Sequence, residues 1–254
     1  MNFEDHFSQL AASYSKYRPS YPSALFKYLA ECCVNHHQAW DCGTGNGQAA
    51  YELTKYFDKI LATDASKEQI EYAQHHPKIT YRVELAEQVS MDDSSTDLVI
   101  VAAAVHWFNF ENFYAEVKRV LKPSGIIAVW GYHLFSISPE IDKILNKYYS
   151  EILKGYWPDR FHYVDTRYRD LPFPFNELKP PKFEMITEWD LEQVAGFLSS
   201  WSGTKNYQKS TGHHPLNKIW EELNKAWGDE KVRRKNNWPL YLRVGKVGLS
   251  KDKN

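Results

Sequence analysis

Cysteine is scarce in this chain. The three residues, Cys32, Cys33 and Cys42, are odd in number and lack paired spacing, which excludes a disulfide framework and points to reduced thiols in a reducing compartment. Long apolar runs are missing too. The longest, Leu98 to Val105, falls well short of the roughly 18 residues a bilayer span needs. A secretory leader requires a basic and then an apolar region, whereas the opening MNFEDHFSQL carries acids, so the cytoplasm is the expected location. Nor is there an excess of positive charge, since 31 basic residues face 32 acidic ones. Without a positive field to gather phosphate backbones or anionic lipid, no nucleic-acid or membrane partner is expected, and a small-molecule substrate is favoured.

Metal-ligand spacing is also absent. The pairs His36-His37, His75-His76 and His213-His214 have no supporting cysteine or acidic cluster, and adjacent side chains diverge, so no metal is expected. No repeat or low-complexity tract occurs. What the chain does have is aromatic residues, 15% of its 254 positions and nine of them tryptophan, many in the C-terminal half. Rings of this kind usually supply core area, and the same bias suits an aromatic-lined pocket.

The length suits one α/β domain with an insertion. Pro22 opens a helix over 23–33. Strands are expected at 38–41, 59–63, 79–85, 97–105 and 126–130, with helices over 48–57, 67–75 and 111–121 between them, because apolar residues recur at strand or helix spacing. Such alternation implies parallel crossovers, hence a doubly wound, mostly parallel, seven-stranded sheet. Strands at 183–189 and 240–247, separated by helices near 191–201 and 215–227, are expected to complete it. Residues 136–181 break the alternation with one helix near 140–153 and a stretch rich in proline and aromatics, which reads as an insertion or lid. The chain is therefore expected to be a single domain over 1–254, with an N-terminal segment over 1–22 and a cap over 136–181.

The strongest local signal is Asp41-Cys-Gly43-Thr-Gly45-Asn-Gly47, at the end of the first strand and the start of a helix. Glycines there permit positive φ and close backbone approach to a ligand. A dinucleotide fingerprint would place its third glycine at Gln48, and a triphosphate loop would need Gly-Lys there; both fail. Asp64 follows Gly43 by 21 residues (64 − 43), at the tip of the second strand, where a carboxylate can accept ribose hydroxyls. An acid in that place also serves as a helix cap, but beside the glycine turn it favours an adenosine-like ligand.

With these residues the chain resembles the class I S-adenosylmethionine-dependent methyltransferases. More narrowly, it resembles the small-molecule branch of the type 11 methyltransferases that includes the trans-aconitate methyltransferase-like proteins. The likeness spans nearly the whole chain: Tyr14 with Tyr17-Arg-Pro-Ser-Tyr-Pro22, the glycine turn, Asp64-Ala-Ser66, Ala86-Glu87, the run ending His106-Trp107-Phe108, Leu121-Lys-Pro-Ser-Gly125 and Ser199-Ser-Trp-Ser202. It implies a Rossmann-like methyltransferase fold and S-adenosylmethionine as cofactor. It further implies that the turn from Asp41 through Gly43, Gly45 and Gly47 passes under the methionine part, with Asp64 on the ribose, Ala65 and Glu87 by the adenine, and Ala102 and Ala103 by the methionine. Tyr14 and Arg18 correspond to a lid approaching the cofactor carboxylate, a role that an arginine fork suits; a surface charge beside a helix start is the other reading of Arg18.

Methyl transfer from a sulfonium needs alignment and exclusion of water more than a triad. His106 follows the fourth strand at the sheet's carboxyl edge, where it fits a base, an orienting group or a satisfied structural histidine equally well. Trp107, Trp130, Tyr132, His133 and Trp201 are candidates for the substrate wall, with core packing the alternative for each. A small anionic or aromatic acceptor is expected between the His106-Trp107 turn and the insertion, where Arg160, Arg167 and Arg169 lie as anion anchors or, equally, as solvated surface charges, and the resemblance implies a carboxylate in particular. A protein or nucleic-acid methyltransferase, and a cofactor-binding protein without transferase activity, remain alternatives.

Overall fold

The computed structural model describes residues 18–248. Its strands are β1 (Gln38–Cys42), β2 (Lys59–Asp64), β3 (Ile79–Val83), β4 (Thr96–Ala102), β5 (Leu121–Tyr132), β6 (Asn176–Leu178), β7 (Met185–Trp189), β8 (Arg234–Trp238) and β9 (Leu240–Lys246). The described residues divide into two compact units. The larger comprises 21–132, 163–183 and 240–248, and the smaller 18–20, 133–162 and 184–239.

The larger unit holds a seven-stranded sheet of order β3-β2-β1-β4-β5-β9-β6. β1 to β5 pair in parallel, and β9 runs antiparallel to both β5 and β6. β1 and β4 are buried along nearly their whole length, as strands covered on both faces must be. Neighbours on opposite sides of β1 are reached by connections that wind in opposite directions, which makes its carboxyl end the switch point of the sheet.

One helix, Ser23–Cys32, begins directly after Pro22 and buries Leu25, Phe26 and Leu29 against a core that includes Leu98, Ile126 and Trp130. Another, Phe110–Val120, is capped by the Asn109 side chain accepting from Asn112 N at 3.2 Å, with acid in its first turn and Lys118 and Arg119 in its last, matching its dipole. At the opposite edge from the switch point, the buried Asp97 carboxylate accepts from His37 N and Gln38 N and pairs with Lys122 Nζ at 2.7 Å. This ties the starts of β1 and β4 to the entry of β5.

In the smaller unit β7 and β8 form an antiparallel pair in register Met185↔Trp238. Helices Pro139–Lys147, Leu191–Ser199, Ser202–Thr211 and Trp220–Trp227 accompany them. Leu191–Ser199 starts with a capping box between Asp190 and Gln193, which satisfies end donors reciprocally. The core is aromatic: the Phe135 ring lies 4.5 Å from Trp238, Phe197 5.0 Å from Trp238, and Trp189 5.1 Å from Trp238. Much of the aromatic excess is thus used as core area.

The large sheet has seven strands as expected, but one of them differs. The 183–189 segment does not join the large sheet; as β7 it pairs with β8, while the short β6 inside the proline-rich stretch takes the edge beside β9. Alternating burial in β7 suits a two-stranded ribbon as well as a sheet edge, so its pattern cannot choose between them. Three other elements stop early. The helix from Gln48 ends at Leu53, where the Thr54 hydroxyl donates to Tyr51 O at 2.7 Å. The helix from Lys67 ends at Glu71 and buries nothing, so no packing extends it. The apolar run to Val105 leaves β4 at Ala102, because Ala103 has φ +54°. Helix Ser202–Thr211, unexpected from its few apolar residues, terminates at left-handed Gly212, a common C-terminal stop. Among the described residues no helix is long and apolar enough to cross a membrane.

Candidate active site

The glycine turn sits at the carboxyl end of β1. Gly43, Gly45 and Gly47 all have positive φ, at +69°, +56° and +82°, a region that a Cβ disfavours by about 1–2 kcal/mol. Gly43 N and Thr44 N both donate to Thr63 O, at 2.8 and 2.9 Å, fastening the turn to the end of β2. A Cβ on Gly43 would lie 2.7 Å from Ala104 Cβ, whereas one on Gly45 would meet only Gln69 Oε1, at 3.8 Å. Gly43 therefore answers to packing and Gly45 leaves an open cradle. Tyr81 on β3 stands against Gly47, with its hydroxyl donating to Gln74 O at 2.7 Å.

Asp64 faces the turn. One carboxylate oxygen accepts from Gly45 N and the other from Ser66 N, both at 2.9 Å. Each oxygen retains a second lone pair for another donor. Ser66 in turn caps the helix that follows by accepting from Gln69 N at 3.3 Å, and Ala65 lies between the two.

Asp41 is fully buried, with Oδ2 accepting from the Thr44 hydroxyl at 2.6 Å and Oδ1 lacking a partner among the described residues. Burial pushes its pKa up to about 7, against the opposing hydrogen bonds from Thr44 and the Ala50 backbone. The sign follows: a carboxyl with a raised folded pKa favours folding fully below its unfolded value near 4, and that contribution is lost as pH rises to about 7. Asp41→Asn is therefore expected to flatten the fall in stability across this window by up to about 1.4 kcal/mol per pH unit. Urea melts from pH 4 to 8 check it, and parallel curves for the two proteins would contradict it. Cys42 and Cys33 are buried thiols whose pKa values burial raises, that of Cys33 to about 12, so neither is an activated nucleophile.

Beyond β4 the chain turns sharply. Ala102 ends the strand; left-handed Ala103 donates its N–H to Trp130 O at 2.8 Å; and Val105–Trp107 forms a single 3-10 turn. Non-glycine residues held in this region cluster at functional sites. His106 is buried and its Nδ1 lies 2.9 Å from the Tyr168 hydroxyl, while Trp107 is 47% exposed. Glu87 Oε1 accepts from Asn109 N at 2.7 Å, bracing the helix that follows.

The expected substrate-wall residues are dispersed. Trp130 is fully buried in the core, with Tyr21 at 5.4 Å and Phe26 at 6.0 Å. Tyr132, in the same unit, lies 6.3 Å from Tyr21. His133 and Trp201 belong to the smaller unit, where His133 packs on Tyr149 at 5.1 Å and Trp201 on Trp157 at 5.5 Å. Arg18 in that unit lies 5.8 Å from the Phe197 ring centroid, and Tyr14 falls outside the described residues. Arg160, Arg167 and Arg169 are exposed. Among the described residues no cluster of three histidines, cysteines or acids could hold a metal. Tyr168 and Tyr81 had no signal in the sequence, since neither belongs to a motif and each is positioned by tertiary packing.

The comparisons with known proteins agree with this geometry. A methyltransferase domain model matches residues 40–129, the stretch from β1 to β5. A Dictyostelium discoideum protein whose name assigns it to the methyltransferases is 33% identical, over 96% of this chain and 95% of its own. A Saccharomyces cerevisiae protein named as S-adenosylmethionine-dependent is 26% identical, over 76% of this chain and 78% of its own. The solved structure of an Anaeromyxobacter dehalogenans protein described as a type II methyltransferase superposes with a TM-score of 0.84 at 36% identity, covering 91% of this chain and 99% of that one. The chain belongs to the class I S-adenosylmethionine-dependent methyltransferase family.

Proposed function

We propose that this protein methylates a small molecule at a carboxylate, with S-adenosylmethionine held over the glycine turn. The observation that carries the reading is the pairing of Asp64 with Gly45: an open glycine cradle and a carboxylate fixed at its rim by two backbone donors. Gly45 and Gly47 would pass beneath the methionine part, Asp64 would accept from the ribose hydroxyls, and Ala65, Glu87, Ala102 and Ala103 would border the rest. When bound, S-adenosylmethionine would supply an electrophilic methyl carbon, to which the acceptor oxygen would bond as the carbon–sulfur bond breaks and its electron pair leaves with sulfur.

A carboxylate acceptor is already ionised near neutral pH and has no proton to lose. The chain's task is then to position it and keep out water, with His106 and Trp107 the residues assigned to it. A net charge of −1 offers no long-range attraction for a polymeric phosphate substrate, and the three free cysteines favour a reducing compartment, the cytoplasm.

The test is His106→Gln. With a carboxylate acceptor, turnover is expected to fall far less than the roughly hundredfold or more that accompanies loss of a general base, cofactor binding being unchanged. Collapse of turnover with cofactor binding retained would instead favour a hydroxyl acceptor that must be deprotonated.

A further inference from the structure

We infer that Tyr81, on β3, is a positioning residue for the cofactor: its hydroxyl latches the connection between β2 and β3 onto the glycine turn, and the affinity for S-adenosylmethionine depends on that latch. The latch stands on its own geometry; its bearing on affinity rests on the reading of the turn and Asp64 as the cofactor's cradle.

Apolar packing does little to hold the connection from β2 to β3. No residue from 64 to 78 is buried, and the helix within it, Lys67–Glu71, buries no side chain, so its order has to come from polar ties. At its start the tie is Asp64, which accepts from Gly45 N and Ser66 N. At its end Lys78 Nζ donates to Thr54 O at 2.8 Å and Phe57 O at 3.0 Å. Between them, among the described residues, positions 67–75 hydrogen-bond outside the connection only through the Gln74 peptide. Its N–H goes to Asn46 O at 3.2 Å, and its carbonyl takes the Tyr81 hydroxyl at 2.7 Å. One peptide thus joins the third strand to the middle of the glycine turn.

A carbonyl can only accept, so the phenol donates; burial raises its pKa to about 12, and at neutral pH it keeps the proton it gives. The ring is seated as well. A Cβ on Gly47 would run into the Tyr81 hydroxyl and lie 3.0 Å from Cζ and 3.1 Å from Cε1, so the bare Cα of Gly47 leaves the room in which the ring stands. Gly47, left-handed at φ +82°, therefore serves the latch, as Gly43 serves packing and Gly45 the cradle. Gln74 is exposed, and water competes for its carbonyl, so the latch is closed by a modest margin. Where only the latched fraction of molecules is competent to bind, the apparent affinity falls with that fraction.

Calorimetric titration of the full chain with S-adenosylmethionine tests this. Tyr81→Phe keeps the ring and loses the hydroxyl; its Kd is expected to rise about two- to tenfold, and hydrogen exchange over residues 65–75 to be faster than in wild type without cofactor, a difference that bound cofactor reduces. Gly47→Ala displaces the ring and opens the same latch, so the two losses are expected not to add, the double variant binding no more weakly than Gly47→Ala alone. Additive losses, or wild-type exchange over 65–75 in Tyr81→Phe, would overturn the inference. Wild-type affinity in Tyr81→Phe would overturn it too: by itself if Asp64→Ala still binds weakly, and together with the placement of the cofactor over the turn if Asp64→Ala also binds as wild type does.

Discussion

Gly43→Ala is expected to destabilise the larger unit by about 2–5 kcal/mol, the sum of a left-handed backbone cost and overpacking. Two observations combine. At φ +69° the backbone disfavours any Cβ, and the added methyl would sit 2.7 Å from Ala104 Cβ and 3.1 Å from Phe108. Ala104 cannot rotate its Cβ away, since that atom is fixed by the backbone of the turn that follows left-handed Ala103. Relief would require either the glycine turn or the β4 exit to move, and Gly43 N is tied to Thr63 O at 2.8 Å. Gly45→Ala has the backbone cost without the clash, so it should lose about 1–2 kcal/mol of stability and show its main effect in cofactor binding. Denaturant melts of the two variants check the order, and equal losses would contradict the division between packing and cradle.

Asp64→Ala is expected to weaken S-adenosylmethionine binding by about 1.5–3 kcal/mol, roughly 10- to 150-fold, through lost hydrogen bonds to a charged acceptor. Because the same carboxylate also takes the Gly45 and Ser66 N–H groups, part of the loss would come from a loosened turn. Asp64→Asn separates the two: one amide oxygen can still accept from a backbone N–H, but the charge is gone. Calorimetry should therefore place Asn between wild type and Ala. Wild-type affinity in Asp64→Ala with an intact fold would remove Asp64 from the site.

The parts legible in the sequence are those where one residue type answers to one physical demand. Three left-handed positions need glycine, and Gly43, Gly45 and Gly47 declare themselves. A strand buried on both faces reads as unbroken apolar sequence, which exposes β4. Other features depend on partners far along the chain. β6 is three residues long in a proline-rich stretch, and only its pairing with β9 makes it a strand. β7 has the composition of a strand of the large sheet but finds β8. Ala103 carries no mark of its left-handed backbone, so the apolar residues after it hide the end of β4 in the sequence. His106 stood out by its place after β4, whereas its partner Tyr168 comes from a loop whose course is set by Arg243 and Glu177. The rings of Trp130 and Trp201 offered two uses, and burial in each unit gives them core contacts.

The central claim, methyl transfer from S-adenosylmethionine to a small acid, is tested most directly by incubating the full chain with methyl-labelled S-adenosylmethionine and a cell extract separated into small-molecule, protein and nucleic-acid fractions. The account predicts label in the small-molecule fraction, on acids, released by mild alkali as expected of a methyl ester and diminished in Asp64→Ala. Label confined to protein or nucleic acid, or alkali-stable label on small molecules, would contradict it.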